Sequence, residues 1–169
     1  SNYDMLLYWV LIRDMFRDGA KKQVLRHLND GFAYHDEGFL NWDGSSFDIY
    51  YVHGALHLFE HGRIRKLNYR RSTESLKSQF VKLIRDKKTF PLFVAEGSSE
   101  KKRLRIGNSG YLTRCLNSLQ KLGAKKSVSS VFSFGVSFSP NDEHILHALA
   151  KNNCKSFFIG IFGSPTSEA

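Results

Sequence analysis

Apolar positions along this chain repeat with two periods, and the change from one to the other marks out helical and extended stretches. Met5, Trp9, Ile12 and Phe16 recur at helical spacing over about 4–18. Asn2 or Asp4 can cap the start of that helix and Gly19 can close its end. A second, basic helix is expected through Val24, Leu25 and Leu28. Between 31 and 46, Asp36, Glu37, Gly38, Asn41, Asp43 and Gly44 break both periods, which predicts an irregular segment long enough to have a function.

The run Phe-Asp-Ile-Tyr-Tyr-Val at 47–52 is β-branched and aromatic and reads as a strand delivering His53 and Gly54 to its C-terminal end. Stretches 56–59 and 64–67 suit a hairpin about His61 and Gly62. Leu76, Phe80, Leu83 and Ile84 mark a helix ending near Lys87 and Lys88, and 91–95 reads as another strand. A basic loop then leads to a helix carrying Leu112, Cys115, Leu116, Leu119 and Leu122, with Ser109 as its cap and Gly123 as its stop. A strand is expected at 128–134. Ser139 then fits an N-cap, Pro140 the first helical position and Asp142 the positive end of the helix dipole. A final buried strand is expected at 157–162. Helix and strand following each other in this way predict an α/β domain with a largely parallel sheet. No repeat, linker or composition shift divides 1–169, so one domain is expected.

The length of 169 residues allows a proper core, and 41% hydrophobic with 14% aromatic residues excludes a disordered, collagen-like or low-complexity chain. No apolar run approaches the roughly 20 residues that span a bilayer, and the N-terminus has no basic-then-apolar signal pattern. A soluble, cytoplasmic protein is therefore expected. Cys115 and Cys154 lie in apolar periodic stretches rather than paired motifs, which predicts buried thiols rather than a disulfide framework or a zinc knuckle.

Charge adds a functional lean, because 25 Lys and Arg against 16 Asp and Glu give a net charge of +9. Polyanionic partners are favoured: nucleic acid, anionic lipid or phosphate-bearing small molecules. The basic residues form short, separated groups: Arg17, Lys21, Lys22 and Arg26; Arg63, Arg65, Lys66, Arg70 and Arg71; Lys101, Lys102, Arg103 and Arg105. Solvated surface is the plainer reading of each.

Three places carry candidate chemistry: the start at 1–4, His53 with Gly54, and the stretch 135–142. At the carboxyl ends of parallel strands they would converge on one crevice. Gly135 would let a ligand approach the backbone, Ser137 and Ser139 offer hydroxyls, and the following helix start attracts an anion. A helix cap also explains Ser139 and Asp142, and a satisfied structural histidine also explains His53. Their joint placement favours a site.

Asn-Tyr-Asp at 2–4, His-Gly at 53–54 after an apolar run, and Gly-x-Ser at 135–137 followed by Asp142 together resemble the sirtuin-like NAD-consuming domains of bacteria. The resemblance is to a branch with His-Gly-Ala-Leu-His-Leu, here at 53–58, and Phe-Val-Ala-Glu-Gly, here at 93–97, and it spans Asn2 to Ile161. It implies a Rossmann-like fold, a mostly parallel sheet with helices on both faces. It also implies hydrolysis of NAD, as substrate, to nicotinamide and ADP-ribose in antiviral defence. On that resemblance His53 would orient the ribose hydroxyls or take a proton, Asn2 would fix the nicotinamide or the attacking water, and Asp4 would support Asn2 or contact the carboxamide. Gly54, Gly135, Ser137 and Asp142 would line the nucleotide, and no metal is expected. The sirtuin-like pattern begins upstream of the Asn motif with a strand and a Gly-rich phosphate loop, whereas this chain starts at Ser1. A domain shortened at its N-terminus is therefore expected, with a second copy or another polypeptide as a possible completing partner.

Other motifs have plainer explanations. His57, Glu60 and His61 fit a His-x-x-Glu-His zinc pattern, but that pattern needs a helix and Gly54 and Gly62 bracket this one. Gly107 to Gly110 reads as a turn and cap rather than a dinucleotide loop. Glu143, His144 and His147 flank a helix that Ile145, Leu146 and Leu149 explain as core packing. Glu96 to Ser99 could close over a ligand, although a polar loop after a strand needs no such purpose. Two rival functions remain beside NAD hydrolysis. One is an NAD- or ADP-ribose-binding module without turnover. The other is a nucleic-acid-binding protein with Arg63, Arg65, Lys66, Arg70 and Arg71 on one salt-sensitive face.

Overall fold

A computed structural model of the chain describes residues 6, 8–10, 29–34, 39–44, 48–68, 74–122, 130–133, 136, 138–151 and 154–160. The chain divides into two compact units, 2–95 and 96–169.

The first unit is built on a five-stranded sheet in the order β1-β2-β4-β3-β5, with β1 Phe32–Tyr34, β2 Phe39–Trp42, β3 Gly54–His61, β4 Arg63–Leu67 and β5 Pro91–Phe93. Every neighbouring pair in it is antiparallel. This overturns the mostly parallel, Rossmann-like sheet that the alternation of helix and strand predicts. The reason is local. Gly62, at φ +69°, turns β3 back on itself so that His61 faces Arg63, and a strand returned by so short a turn can only run antiparallel. The helix between β4 and β5 carries the chain across the sheet without setting β5 parallel to β3.

Two more expectations change for physical reasons. The supposed irregular segment contains β1 and β2, paired with Phe32 opposite Trp42. The expected strand at 47–52 is not one among its described residues, 48–52. The N–H groups of Asp48 and Ile49 converge on Asn29 O at 2.6 and 3.1 Å, and Gly54 N–H closes a turn on Tyr51 O at 2.8 Å. His53 therefore precedes a strand instead of ending one.

Helix α1, Leu76–Arg85, follows the expected period. The Ser75 hydroxyl accepts a hydrogen bond from Ser78 N–H at 3.1 Å, and Lys82 and Arg85 occupy the negative end of the dipole. Leu76 and Leu83 join Tyr8, Phe59 and Leu67 in the buried core, flanked by Phe39 and Phe80. Fully burying each such side chain contributes about 1.5–3 kcal/mol. Of the first predicted helix, residues 8–10 are helical; the second, at 24–28, lies outside the described residues.

In the second unit, α2 (Ser99–Gly107), α3 (Gly110–Gln120) and α4 (Glu143–Ala150) pack together. The basic stretch expected as a loop is thus helical, capped by the Ser98 hydroxyl accepting from Lys101 N–H at 3.4 Å. Asn108 and Ser109 separate α2 from α3, and the Thr113 hydroxyl donates back to Ile106 O at 3.0 Å. Ser139 and Pro140 start a short 3₁₀ turn, Pro140–Asp142, that leads into α4. β6 (Ser130–Ser133) and β7 (Ser156–Ile159) run parallel, in register from Ser130 opposite Ser156 to Ser133 opposite Ile159. This pair, with α4 between its strands, is the parallel pairing among the described residues. The last strand is not buried as expected, since Phe157, Phe158 and Ile159 are exposed. Cys115 is buried and Cys154 half-buried, both as free thiols. Among the described residues no helix is long and apolar enough to cross a membrane.

Candidate functional site

His53 sits at the third position of the Tyr51–Gly54 turn and is 2% exposed. Its carbonyl accepts from Val94 N–H at 2.8 Å, so β5 holds the turn from the other side. Gly54 has φ +75°, and a Cβ there would lie 2.0 Å from Leu92 O. The close approach that requires glycine is thus made by the backbone just beside β5, which gives Gly54 a structural reason independent of any nucleotide. Of the other predicted site residues, Asn2, Asp4, Gly135 and Ser137 lie outside the described residues.

Further along β3, His57 is fully buried in a run with Leu58 and Phe59. The ring stacks on Tyr8, with centroids 4.4 Å apart and planes 7° apart, and meets Tyr51 edge-on at 4.9 Å. Neither ring nitrogen has a hydrogen-bond partner among the described residues, nor does the Tyr51 hydroxyl. Burial, helped by the nearby Lys66 ammonium, pushes the His57 pKa down to about 3. Burial and then the Asp30 carboxylate push the Tyr51 phenol up. Both rings are therefore neutral across the physiological range. Lys66 is itself buried. It pairs with Asp30 and stands over the rings of Tyr8 and Phe32 at 5.0 and 5.1 Å. Tyr8 donates its hydroxyl to Leu67 O at 2.8 Å.

This polar centre was missed because its members come from distant stretches. One signal was available: Lys66 shares the inward parity of Ile64 on β4, where an unpaired lysine is costly. The centre also alters the basic group at 63–71. Lys66 is engaged internally, the Arg65 guanidinium lies 5.7 Å from the Phe39 ring centre, Arg63 is exposed, and Arg70 and Arg71 lie outside the described residues. The His-x-x-Glu-His pattern loses its zinc geometry, because in a strand His57 and His61 stand about 13 Å apart at four residues' separation.

In the second unit Asp142 accepts from Lys102 Nζ at 2.8 Å, with Lys102 buried. Beside them the Ser99 hydroxyl meets His144 Nδ1 at 3.1 Å, and the His144 backbone N–H donates to the same Ser99 oxygen at 2.8 Å. Burial first, and then Lys102, hold the His144 imidazole below its ordinary pKa, while Asp142 acts in the opposite sense. The sequence pattern places His144 on the flank of a packing helix and Ser99 in a polar loop. Nothing in their spacing along the chain points to this pairing.

Fold and site together define a mixed α/β protein: an antiparallel sheet unit with a buried Tyr–His–Lys–Asp centre, followed by a helical unit with one parallel strand pair. The chain belongs to the family described as a domain of unknown function, DUF4917, whose model matches residues 1–167. No curated protein and no solved structure matches the chain.

Proposed function

We propose that this chain hydrolyses the N-glycosidic bond of NAD, releasing nicotinamide and ADP-ribose, with His53 as the proton-handling group. The observation that carries the reading is the way His53 is presented. Its turn is closed by Gly54 N–H on Tyr51 O, its carbonyl is held by Val94 N–H, and its flanking glycine admits no Cβ. A general base gains from such fixing, because orientation lowers the entropy lost on reaching the transition state. The net charge of +9 suits the pyrophosphate of the substrate. In the proposed step the ribose C1′–nitrogen bond breaks and nicotinamide leaves neutral. Water adds to the oxocarbenium-like carbon and His53 takes the water's proton. Asn2 and Asp4 would position the nicotinamide end, and Gly135 and Ser137 the phosphate end, as the sequence pattern suggests. Consumption of NAD by such a protein would serve antiviral defence.

The 2% exposure of His53 also suits a second reading, an NAD- or ADP-ribose-binding module without turnover. Chromatographic measurement of nicotinamide release separates the two. Wild type is expected to turn over, with His53→Ala and His53→Gln slower by about 10²–10⁴-fold. Nucleotide binding without nicotinamide release by the wild type would establish the module instead.

A further inference from the structure

We propose that Ser99 and His144 form a nucleophile–base pair that hydrolyses small carboxylic esters, a second activity beside the one proposed for His53. His144 N–H fills one acceptor position of the Ser99 oxygen at 2.8 Å, and Nδ1 lies 3.1 Å from the same oxygen, where the proposed base accepts the hydroxyl proton. Nδ1 must be the unprotonated nitrogen to accept it, which leaves the proton on Nε2. An oxygen of Asp142 lies within 4.8 Å of a ring nitrogen of His144, and Lys102 fixes that carboxylate from α2. Buried beside the Lys102 ammonium, the imidazole stays neutral at pH 7, the state a base requires.

Both side chains line a cleft of about 870 Å³, within the range of small-molecule sites. Leu104 and Leu116 give it an apolar wall for an acyl group, and Arg103 stands one helical turn beyond Ser99. Ser99 is the first residue of α2, where the N–H groups of Ser99 and Glu100 have no intrahelical acceptor and can face a developing oxyanion. A purely mechanical clasp between α2 and α4 would make the same two hydrogen bonds. It would not need a substrate-sized cleft beside them.

In the reaction the Ser99 oxygen bonds to the ester carbonyl carbon as its proton passes to Nδ1. The carbon–alkoxy bond breaks and the alcohol leaves with that proton. Water then attacks the acyl-serine, giving its proton to Nδ1, and the acid leaves as the serine oxygen recovers the proton.

The test uses the full chain with an alkyl fluorophosphonate, which forms a phosphorus–oxygen bond to an activated serine and releases fluoride. The expected result is one added phosphonyl group mapped to Ser99, and p-nitrophenyl butyrate hydrolysis at least 10²-fold above Ser99→Ala. The labelling rate should follow deprotonation of an imidazole whose pKa burial holds below the ordinary histidine value, with Lys102, Asp142 and Ser99 among the groups facing it. His144→Gln, with folding checked by circular dichroism, should abolish labelling. Folded wild type that is unlabelled, or labelled at a different serine, would overturn the proposal and leave the pair as a clasp.

Discussion

The ring of Tyr8 lies flat against His57 at 4.4 Å, and the Lys66 ammonium stands over the same Tyr8 ring at 5.0 Å. A neutral imidazole in that place has a consequence for stability. His57 has its pKa lowered to about 3 in the folded chain against 6.5 for an ordinary histidine, so below pH 6.5 the unfolded chain binds a proton that the folded chain refuses. The contribution is complete above pH 6.5 and is lost as pH falls from there towards 3, by about 1.4 kcal/mol per pH unit. Urea unfolding at pH 7.5, 5.5 and 4.5 should show this slope. His57→Phe keeps the stack and removes the titrating nitrogens, so it should flatten the slope by about one proton. An unchanged slope in that variant would place the titration elsewhere.

The Lys66–Asp30 pair stands in the same centre, with both side chains largely buried. Removing either partner alone leaves a buried charge uncompensated, and Lys66→Met or Asp30→Asn should each cost about 3–5 kcal/mol. The double variant should recover a large part of that loss. A double-mutant cycle by denaturant unfolding measures the coupling directly. Additive single losses would mean that the two charges do not depend on each other.

How much of this was readable beforehand depends on the range over which each feature is determined. The β3–β4 hairpin, α1, and the Ser139–Pro140 start before α4 were legible, because each is set by residues a few positions apart. The direction of β5 against β3 was not, since it depends on how the chain returns across α1. The sirtuin-like expectation put His53 at the end of a strand. The turn closed on Tyr51 puts it before β3, and no periodicity distinguishes the two. Asp30 and Lys66 are 36 positions apart, and Ser99 and His144 are 45 apart. Nothing in their local sequence announces the pairing, whereas His53 and Asp142 stood out only through a motif.

Two glycines with nearly the same φ should respond differently to the same change. Gly54 at +75° has the Leu92 carbonyl oxygen 2.0 Å from where a Cβ would sit, whereas Gly62 at +69° has nothing within 4 Å. Gly62→Ala meets only the strain of the left-handed conformation, about 1–2 kcal/mol. Gly54→Ala adds a backbone clash that β5 must relieve by moving, raising the loss to about 2–4 kcal/mol. Thermal unfolding of the two variants should rank them in that order. Equal losses would show that β5 is not pressed against Gly54 in solution.

The serine caps offer a final contrast, because two residues in the same formal position do different things. The Ser75 hydroxyl accepts from Ser78 N–H at 3.1 Å at an exposed helix start, so Ser75→Ala should cost about 0.5–2 kcal/mol. Ser109 occupies the corresponding place before α3 but makes no side-chain cap bond. Its buried hydroxyl oxygen has no hydrogen-bond partner among the described residues. Replacing the hydroxymethyl side chain by a methyl group removes a desolvated polar atom and leaves the backbone unchanged. Ser109→Ala should therefore be neutral or stabilising by up to about 1 kcal/mol. Chemical denaturation of both variants decides the matter, and a loss at Ser109 comparable to that at Ser75 would mean that the Ser109 hydroxyl is hydrogen-bonded in the folded chain.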